Sequence, residues 1–266
     1  MYHSRSTKDM SGLLAHNPAL QVAALLCVGV AAGFVNVVAG GGSLLSLPLL
    51  IFLGLPETTA NGTSRLAILT QSISAVTAFQ RAGRVDRRLL LRCSGPALLG
   101  ASIGAYVATQ FANDSFRAIL GWVMLGCAAF VVVNPTLAPA GADAPLEARL
   151  SRAWVWPTLF VIGLYGGAVQ AGVGYLALAG LVSLLRIDLV QANVLKTVLI
   201  GLYTPIALAI FLWHGQVDLW LGLALSAGQA LGGWLGAAAT LQRGERFIRI
   251  TLALVVIASG LKLLLD

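Results

Sequence analysis

The stretch NVVAGGGSLLSLP, residues 36–48, places three consecutive glycines inside a run that is otherwise almost wholly apolar. Glycine inside a helix costs roughly 1 kcal/mol relative to alanine, so the stretch predicts a backbone break at Gly40, Gly41 and Gly42. The apolar run before it, residues 19–38, matches the roughly 20 residues that cross a bilayer as a helix. The break is therefore expected where a membrane segment ends or turns back.

Composition places the chain in a membrane. Of its 266 residues, 58% are apolar and 10% are charged, whereas a soluble domain has about 25% charged residues. Mean hydropathy is +0.87. The net charge of +7 does not indicate a nucleic-acid partner, because basic loops of a membrane protein mark its orientation. No metal-ligand spacing or catalytic triad is apparent in the sequence, so we predict neither an enzyme nor a cofactor.

Ten apolar segments follow one another along the chain. They cover residues 19–38, 43–55, 60–80, 89–110, 115–134, 153–170, 174–185, 189–213, 219–241 and 247–265. The second and seventh are short for a full crossing and follow glycine clusters, so each either crosses or re-enters. The predicted fold is an all-α integral membrane protein with two inverted repeats of about five segments, and with short broken or re-entrant helices at the glycine-rich breaks.

The predicted organisation has four parts. Residues 1–18 form an N-terminal polar segment, 19–134 the first transmembrane repeat, 135–152 a cytoplasmic linker rich in proline, and 153–266 the second transmembrane repeat. A cleaved signal peptide is the alternative for the N-terminal region. We interpret the first segment as retained, because it leads directly into the glycines.

The two halves are predicted to be copies of each other. When residues 40–120 are placed on residues 172–252 without a gap, the matched pairs include Asn61 with Asn193, Gly83 with Gly215, Asp86 with Asp218, Gly100 with Gly232, Gly104 with Gly236, and Arg117 with Arg249. An odd number of segments in each copy gives the two copies opposite orientations in the membrane. The Gly95, Gly100, Gly104 series and the Gly228, Gly232, Gly236 series are interpreted as helix-packing faces.

The distribution of basic residues agrees with inversion. The loop QRAGRVDRR after the third segment carries four arginines, whereas its counterpart LWHGQVDLW carries none. The loop after the ninth segment carries Arg243, Arg246 and Arg249, whereas its counterpart carries Arg117. Because basic loops remain in the cytoplasm, we predict that the richer loops and the linker are cytoplasmic. Both termini would then lie outside.

The glycine breaks predict an anion site. A helix that starts near Ser43 would direct free N–H groups and the positive end of its dipole toward the break, which favours an anion. The equivalent break in the second half is AGVG, residues 171–174. Broken helices in both halves of an inverted repeat indicate a binding site near the midplane of the membrane. The alternative is that the glycines only allow close packing of helices.

Two cations inside apolar segments point to the same site. Arg65 follows Asn61 by four residues and Lys196 follows Asn193 by three, so each amide shares a helix face with a cation. A cation at this depth is costly and marks a functional candidate, although each could also extend to the membrane interface. The predicted substrate-binding residues are Asn36, Gly40, Gly41, Gly42, Ser43, Asn61, Arg65, Gln170, Gly172, Gly174, Asn193 and Lys196.

Carboxylates are confined to the edges of the apolar segments, as at Glu57, Asp86, Asp114 and Asp218. A cation pump built on a buried acidic group is therefore disfavoured.

The motifs resemble a known family. The first half contains AGGGSLLSLPLLIFLGLP, ANGTSRLAI, RAGRVD and GASIGA, and the second contains AGVG, HGQVD and LGGWLGAAATLQRGERFIRITL. Together they resemble the sulfite exporter TauE/SafE family, which includes permeases of the toluene sulfonate uptake type. The resemblance covers residues 19–265. It implies a multi-pass protein of two repeats in the cytoplasmic (inner) membrane that moves small anions such as sulfite or organosulfonates.

We therefore predict a transporter for a small, sulfur-containing anion that alternates access by rocking its halves. The predicted partners are that anion and the lipid bilayer, with no nucleic acid, and the sequence does not indicate an oligomeric state. An anion channel lined by the same residues and a membrane assembly factor without transport activity are the alternatives.

Overall fold

The computed structural model describes residues 17–116, 118–119, 122, 145–151 and 153–265. Over these ranges the chain forms helices joined by turns, with no β-strand, which confirms the all-α prediction. Most of the predicted N-terminal segment, the fifth apolar segment and the linker lie outside the described residues.

Nine helices follow in chain order. Their bounds are α1 Pro18–Val38, α2 Ser43–Phe52, α3 Glu57–Arg81, α4 Arg87–Thr109, α5 Leu146–Leu150, α6 Val155–Ala168, α7 Val173–Leu185, α8 Leu189–Trp213 and α9 Leu219–Leu265, counted over the described part of the chain. The helical backbone of α9 is broken at Gly244, where φ is 64° and ψ is −154°. This break separates the predicted ninth and tenth segments.

Polar side chains fix where several long helices begin. Asn17 accepts hydrogen bonds from the first turn of α1, Asp86 from that of α4, and Asp188 from that of α8. Asp218 accepts from the backbone N–H of Leu221 at the start of α9. Each side chain satisfies N–H groups that have no partner within the helix. The aspartates therefore serve as helix caps at the ends of the apolar segments.

Two pairs of helices form hairpins that enter the molecule from opposite ends. The outer ends of α1 and α2 share one hydrophobic cluster, which contains Leu25, Leu47 and Leu50. The outer ends of α6 and α7 share the cluster at the other end, which contains Leu159 and Leu185. Each hairpin therefore starts and finishes at the same end of the molecule, and its glycine-containing turn lies deep inside.

Each hairpin packs its longer helix against the other half of the chain. A Cβ built on Gly232 of α9 would overlap the carbonyl oxygen of Val30 in α1. A Cβ on Gly100 of α4 would likewise overlap the carbonyl oxygen of Phe160 in α6. Small residues allow helix backbones in a membrane to approach this closely. The predicted packing faces are therefore in contact, except at Gly95, where nothing lies within 4 Å and the prediction is wrong.

One end of the molecule is rich in arginine. A single hydrophobic cluster joins the starts of α4, α6 and α8 to the end of α7 and to α9 beyond Gly244. The arginine-rich turn between α3 and α4 and the group Arg243, Arg246 and Arg249 therefore lie at the same end, as predicted for one membrane face. Buried Arg149 of α5 lies there too, and its guanidinium donates to the carbonyl oxygens of Leu185 and Arg186 at the end of α7.

The outer surface suits a lipid environment. The large apolar side chains of Leu91, Leu99, Ile103 and Tyr106 along α4 are exposed. Exposed tryptophans lie near both ends, Trp154 and Trp156 at the arginine-rich end and Trp213 and Trp220 at the other, as in the aromatic belts of membrane proteins. By length and apolarity α1, α4 and α8 could each cross a membrane.

Candidate functional site

The two glycine breaks touch each other in the middle of the molecule. A Cβ on Gly174 would overlap the Cα of Gly40, and a Cβ on Gly40 would overlap the backbone of Gly174. Gly40 also has a φ of 97°, which side chains rarely tolerate. The turns of the two hairpins therefore meet backbone to backbone, at a place where side chains would keep them apart.

A serine joins the two turns by hydrogen bonds. The hydroxyl of Ser43, the first residue of α2, lies 3.3 Å from the carbonyl oxygen of Gln170. The same hydroxyl oxygen lies 3.4 Å from the backbone nitrogen of Gly172, which donates to it. Gln170 and Gly172 both have left-handed backbone, with φ of 62° and 69°. The N-terminal ends of α2 and α7 thus start from a shared, hydrogen-bonded crossing.

Arg65 of α3 binds the carbonyl end of α6. Its two terminal nitrogens donate to the carbonyl oxygens of Gly166, at 3.2 Å, and of Ala168, at 3.2 Å, and also to the carbonyl of Gly167. A further donation at 3.3 Å goes to the side-chain oxygen of Gln170. The guanidinium carbon lies 4.6 Å from the ring centroid of Phe211, and the side chain is 0% exposed.

Lys196 of α8 makes the matching contact with α1. Its ammonium donates to the carbonyl oxygens of Asn36 and Val37, both at 3.2 Å, and to the side-chain oxygen of Asn193 at 2.6 Å. The side chain is 1% exposed. The last carbonyls of a helix have no partner within it. Each cation therefore neutralises the negative end of a hairpin helix from the other half of the chain.

Buried amides surround the two cations. Asn61 donates to the carbonyl oxygen of Ala168 at 2.8 Å, and Asn36 donates to the side-chain oxygen of Gln71 at 3.2 Å. Among the described residues, the side-chain oxygen of Asn61 and the side-chain nitrogen of Asn193 have no hydrogen-bond partner. The Nε of Arg65 likewise has no hydrogen-bond partner among the described residues. Buried polar atoms without partners are uncommon and costly, so these atoms are available to a ligand or to water.

The twelve predicted residues lie in one connected network. Gly42 packs against the Cβ of Asn36, and Gly41 packs against the ring of Tyr175, which completes the contacts given above. Their role in binding a substrate stays a prediction. Sequence reasoning did not identify Phe211, Tyr175 or the carbonyls of 166–168 as parts of the network. The glycine pair Gly166 and Gly167 just before Gln170 could have indicated that this stretch belongs to the network. Nothing in the sequence around the two aromatic residues indicated the same.

Comparison with known proteins assigns the chain to a family. The family model described as "Sulfite exporter TauE/SafE" matches residues 25–263. The chain belongs to the sulfite exporter TauE/SafE family. The resemblance predicted from the motifs is thereby confirmed. No solved structure matches the chain.

Relatives of this TauE/SafE protein carry the description "probable membrane transporter protein". It is 30% identical to "Probable membrane transporter protein ORF9" of Sinorhizobium sp over 88% of this chain and 89% of the relative. It is 28% identical to a "Probable membrane transporter protein" of Haemophilus influenzae, over 92% of this chain and 95% of the relative. It is 27% identical to "Probable membrane transporter protein YfcA" of Escherichia coli K12, over 93% of this chain and 91% of the relative. The TauE/SafE protein is therefore a member of a transporter family and not an enzyme.

Proposed function

We propose that this TauE/SafE protein carries a small anion across the cytoplasmic membrane and binds it where the two hairpins cross. The observation that carries the proposal is a pair of buried cations, Arg65 and Lys196, whose hydrogen bonds all go to carbonyl or amide oxygens. Neither hydrogen-bonds a carboxylate among the described residues. An uncompensated positive charge in a membrane interior is expensive unless an anion offsets it.

A tally of charges supports an anion over a cation. When both are protonated, the two side chains contribute two positive charges. The carbonyl ends of α1 and α6 contribute about −0.5 each, and the amino ends of α2 and α7 contribute about +0.5 each. The crossing thus carries a net charge of about +2 before a ligand binds. A cation would be repelled there, whereas a small divalent or monovalent anion would be attracted.

The contacts also indicate which groups would attract the anion by charge and which would hydrogen-bond it. All three donors of Lys196 are engaged with oxygens of α1 and Asn193. Lys196 therefore acts on the anion through its electric field. Direct hydrogen bonds would come from the N-terminal turns of α2 and α7 and from the unpaired nitrogens of Arg65 and Asn193. Sulfite or an organosulfonate, with several oxygens on one charged centre, suits a ring of such donors.

Inverted copies of the two halves would explain the paired geometry. Arg65 and Lys196 make equivalent contacts with the two hairpins, and Gly40 lies against Gly174. Rocking of the halves about this crossing would expose it to each face of the membrane in turn. The arginine-rich end would face the cytoplasm of the cell in whose inner membrane the protein lies.

The proposal is tested in liposomes. Uptake is measured for sulfite, thiosulfate, sulfoacetate, sulfate and carboxylates, with and without a pH gradient. Saturable uptake of a sulfur anion that shows counterflow is the expected result. Flux that rises without saturation would indicate a channel, and no uptake of any anion would indicate a protein that does not transport anions.

A matched pair of variants separates charge from structure. Lys196→Arg keeps the positive charge, whereas Lys196→Gln keeps donors and loses the charge. For folded protein in equal amount, we expect the half-saturating anion concentration to rise at least about tenfold in Lys196→Gln, which corresponds to roughly 1.4 kcal/mol, and much less in Lys196→Arg. A change in thermal stability with unchanged half-saturation would contradict a role for this charge in anion binding.

A further inference from the structure

The two ends of the molecule differ at a pair of equivalent junctions. The arginine-side junction is formed by the α3–α4 turn, residues 83–86, and the start of α8. The opposite junction is formed by the α8–α9 turn, residues 215–218, and the start of α3. The predicted duplication places Asp86 on Asp218, and it places Val194 and Leu195 of α8 on Gly62 and Thr63 of α3. The junctions can therefore be compared position by position.

The opposite junction is closed. The hydroxyl of Thr63 accepts a hydrogen bond from the backbone N–H of Asp218 at 2.9 Å. A Cβ on Gly62 would overlap the carbonyl oxygen of Gln216, so the turn lies directly on the helix. The side chain of Gln216 donates to the carbonyl oxygen of Thr109 at 3.1 Å, which ties the same turn to the end of α4.

The arginine-side junction is open. A cavity of about 380 Å³ lies between the turn and the start of α8, and Arg84, Asp86, Gln191 and Val194 are among the residues that line it. Of the turn residues, Val85 packs against the cluster that contains Val194. Asp86 and Leu195 also line a narrower cavity beside it, and Leu195 has no hydroxyl group to accept the hydrogen bond that Thr63 accepts from Asp218. The side chain of Arg84 makes no ion pair or side-chain hydrogen bond with another described residue, so an exposed cation stands at the rim.

The cavity approaches the binding crossing closely. Val194 and Val198 of α8 pack in one cluster with Val37 of α1. Val37 is also the residue whose carbonyl oxygen binds Lys196. Apolar side chains of this cluster therefore lie between the open cavity and the Lys196 contact, whereas the opposite junction is covered by the packed α8–α9 turn.

We propose that the two junctions are the gates of the transport pathway, and that this conformation is open at the arginine-side gate and closed at the opposite gate. The proposal rests on the proposed function. In the alternate conformation, the α8–α9 turn would separate from Gly62 and Thr63. The arginine-side turn would then close onto Val194 and Leu195 through apolar contacts. The anion would enter from the arginine-rich face past Arg84.

Two equivalent cysteine pairs test the gates. Thr63→Cys with Asp218→Cys crosses the closed gate, and Leu195→Cys with Asp86→Cys crosses the open one. Both pairs are made with Cys27, Cys93 and Cys127 replaced by alanine, and both lose one aspartate helix cap, so they are matched. Disulfides require Cα atoms within about 7 Å. In resting protein, we expect the first pair to oxidise at least about tenfold faster than the second, which corresponds to roughly 1.4 kcal/mol.

Two further measurements complete the test: the effect of an anion on disulfide formation, and the effect of each disulfide on uptake. Sulfoacetate is the probe anion, because sulfite itself cleaves disulfides, and its presence on both sides should raise the rate of the second pair. Each disulfide should stop uptake, and a reductant should restore it. Two results would contradict the assignment of the junctions as gates. One is an equal rate of disulfide formation in the two pairs, and the other is full uptake with the disulfide between Thr63→Cys and Asp218→Cys formed. A tenfold difference in rates without uptake of any anion would support the gates and contradict the proposed substrate class.

Single cysteines provide a measurement that does not depend on the paired variants. Gln191 lines the open cavity, and its equivalent Thr59 lies at the closed gate. We expect a membrane-impermeant maleimide to label Gln191→Cys at least about tenfold faster than Thr59→Cys, again roughly 1.4 kcal/mol. Faster labelling of Thr59→Cys would contradict the assignment.

Discussion

Gly40 and Gly174 lie against each other with no side chain between them, so the two hairpin turns are joined by backbone contact. The residues come from different halves of the chain, and both lie deep in the molecule. Any side chain at either position would force the turns apart. This contact fixes the separation of the two hairpin turns, on which the geometry of the proposed binding site depends.

Gly174→Ala should therefore disrupt the protein. The added methyl group would overlap the Cα of Gly40, and overpacking of this kind costs about 1–3 kcal/mol or more. We expect a lower unfolding temperature in detergent and loss of uptake. The control is Gly95→Ala, because nothing lies within 4 Å of its Cβ and alanine favours a helix by roughly 1 kcal/mol. Equal stability of the two variants would contradict the prediction.

Arg65→Lys should destabilise the protein although it keeps the charge. The planar guanidinium donates to four oxygens, the three carbonyl oxygens at the end of α6 and the side-chain oxygen of Gln170. A lysine ammonium has fewer donors and a different donor geometry. Each buried carbonyl left without a donor costs about 1–3 kcal/mol. Thermal unfolding in detergent is the measurement. Exposed Arg84 provides the control, since Arg84→Lys should leave stability unchanged, and an unaltered unfolding temperature in Arg65→Lys would refute the argument.

Arg149→Leu should loosen the end of α7. The guanidinium of Arg149 binds the carbonyl oxygens of Leu185 and Arg186, and its removal leaves buried acceptors unpaired at a cost of about 1–3 kcal/mol. Faster hydrogen exchange of the last turn of α7 is expected. Exposed Arg88→Ala is the comparison, with an effect within about 0.5 kcal/mol. Unchanged exchange in Arg149→Leu would show that the contact does not hold the helix.

Gly62→Ala should favour opening of the opposite gate. The new methyl group would overlap the carbonyl oxygen of Gln216, so the closed position of the α8–α9 turn becomes strained while the open position is unaffected. A ligand or substitution shifts such an equilibrium by its differential effect on the two states. We expect faster maleimide labelling of Thr59→Cys in this background. The same rate with and without Gly62→Ala would argue against movement of the turn.

The sequence predicted where the helices break and which residues belong to the network. It did not predict which helices those residues contact. Glycine composition marks Gly40 and Gly174 because a helix interior disfavours such residues. The spacing of Arg65 from Asn61 places both on one helix face. That spacing says nothing about which helix the face meets. The contacts of Arg65 with α6 and of Lys196 with α1 depend on tertiary packing between halves, as does the ring of Phe211 beside Arg65.

The same limit applies to the hairpins. Segment length left open whether the second and seventh segments cross the membrane or turn back. The answer depends on which hydrophobic cluster each helix end joins, and α2 shares its cluster with the start of α1. Clusters of this kind assemble residues that are distant in the chain. Local periodicity therefore could not decide between the two arrangements.

The seam between α1 and α9 has a consequence for biogenesis. Helix α1 is synthesised well before α9, yet the two pack together, with Gly232 against the backbone of Val30. During synthesis, lipid covers the small-residue face of α1 until α9 has been inserted. Within the part of the chain that the structure describes, Gly29 and Gly33 of that face lie against backbone atoms of α9. The two halves expressed as separate polypeptides should accumulate only when they are produced in the same cell.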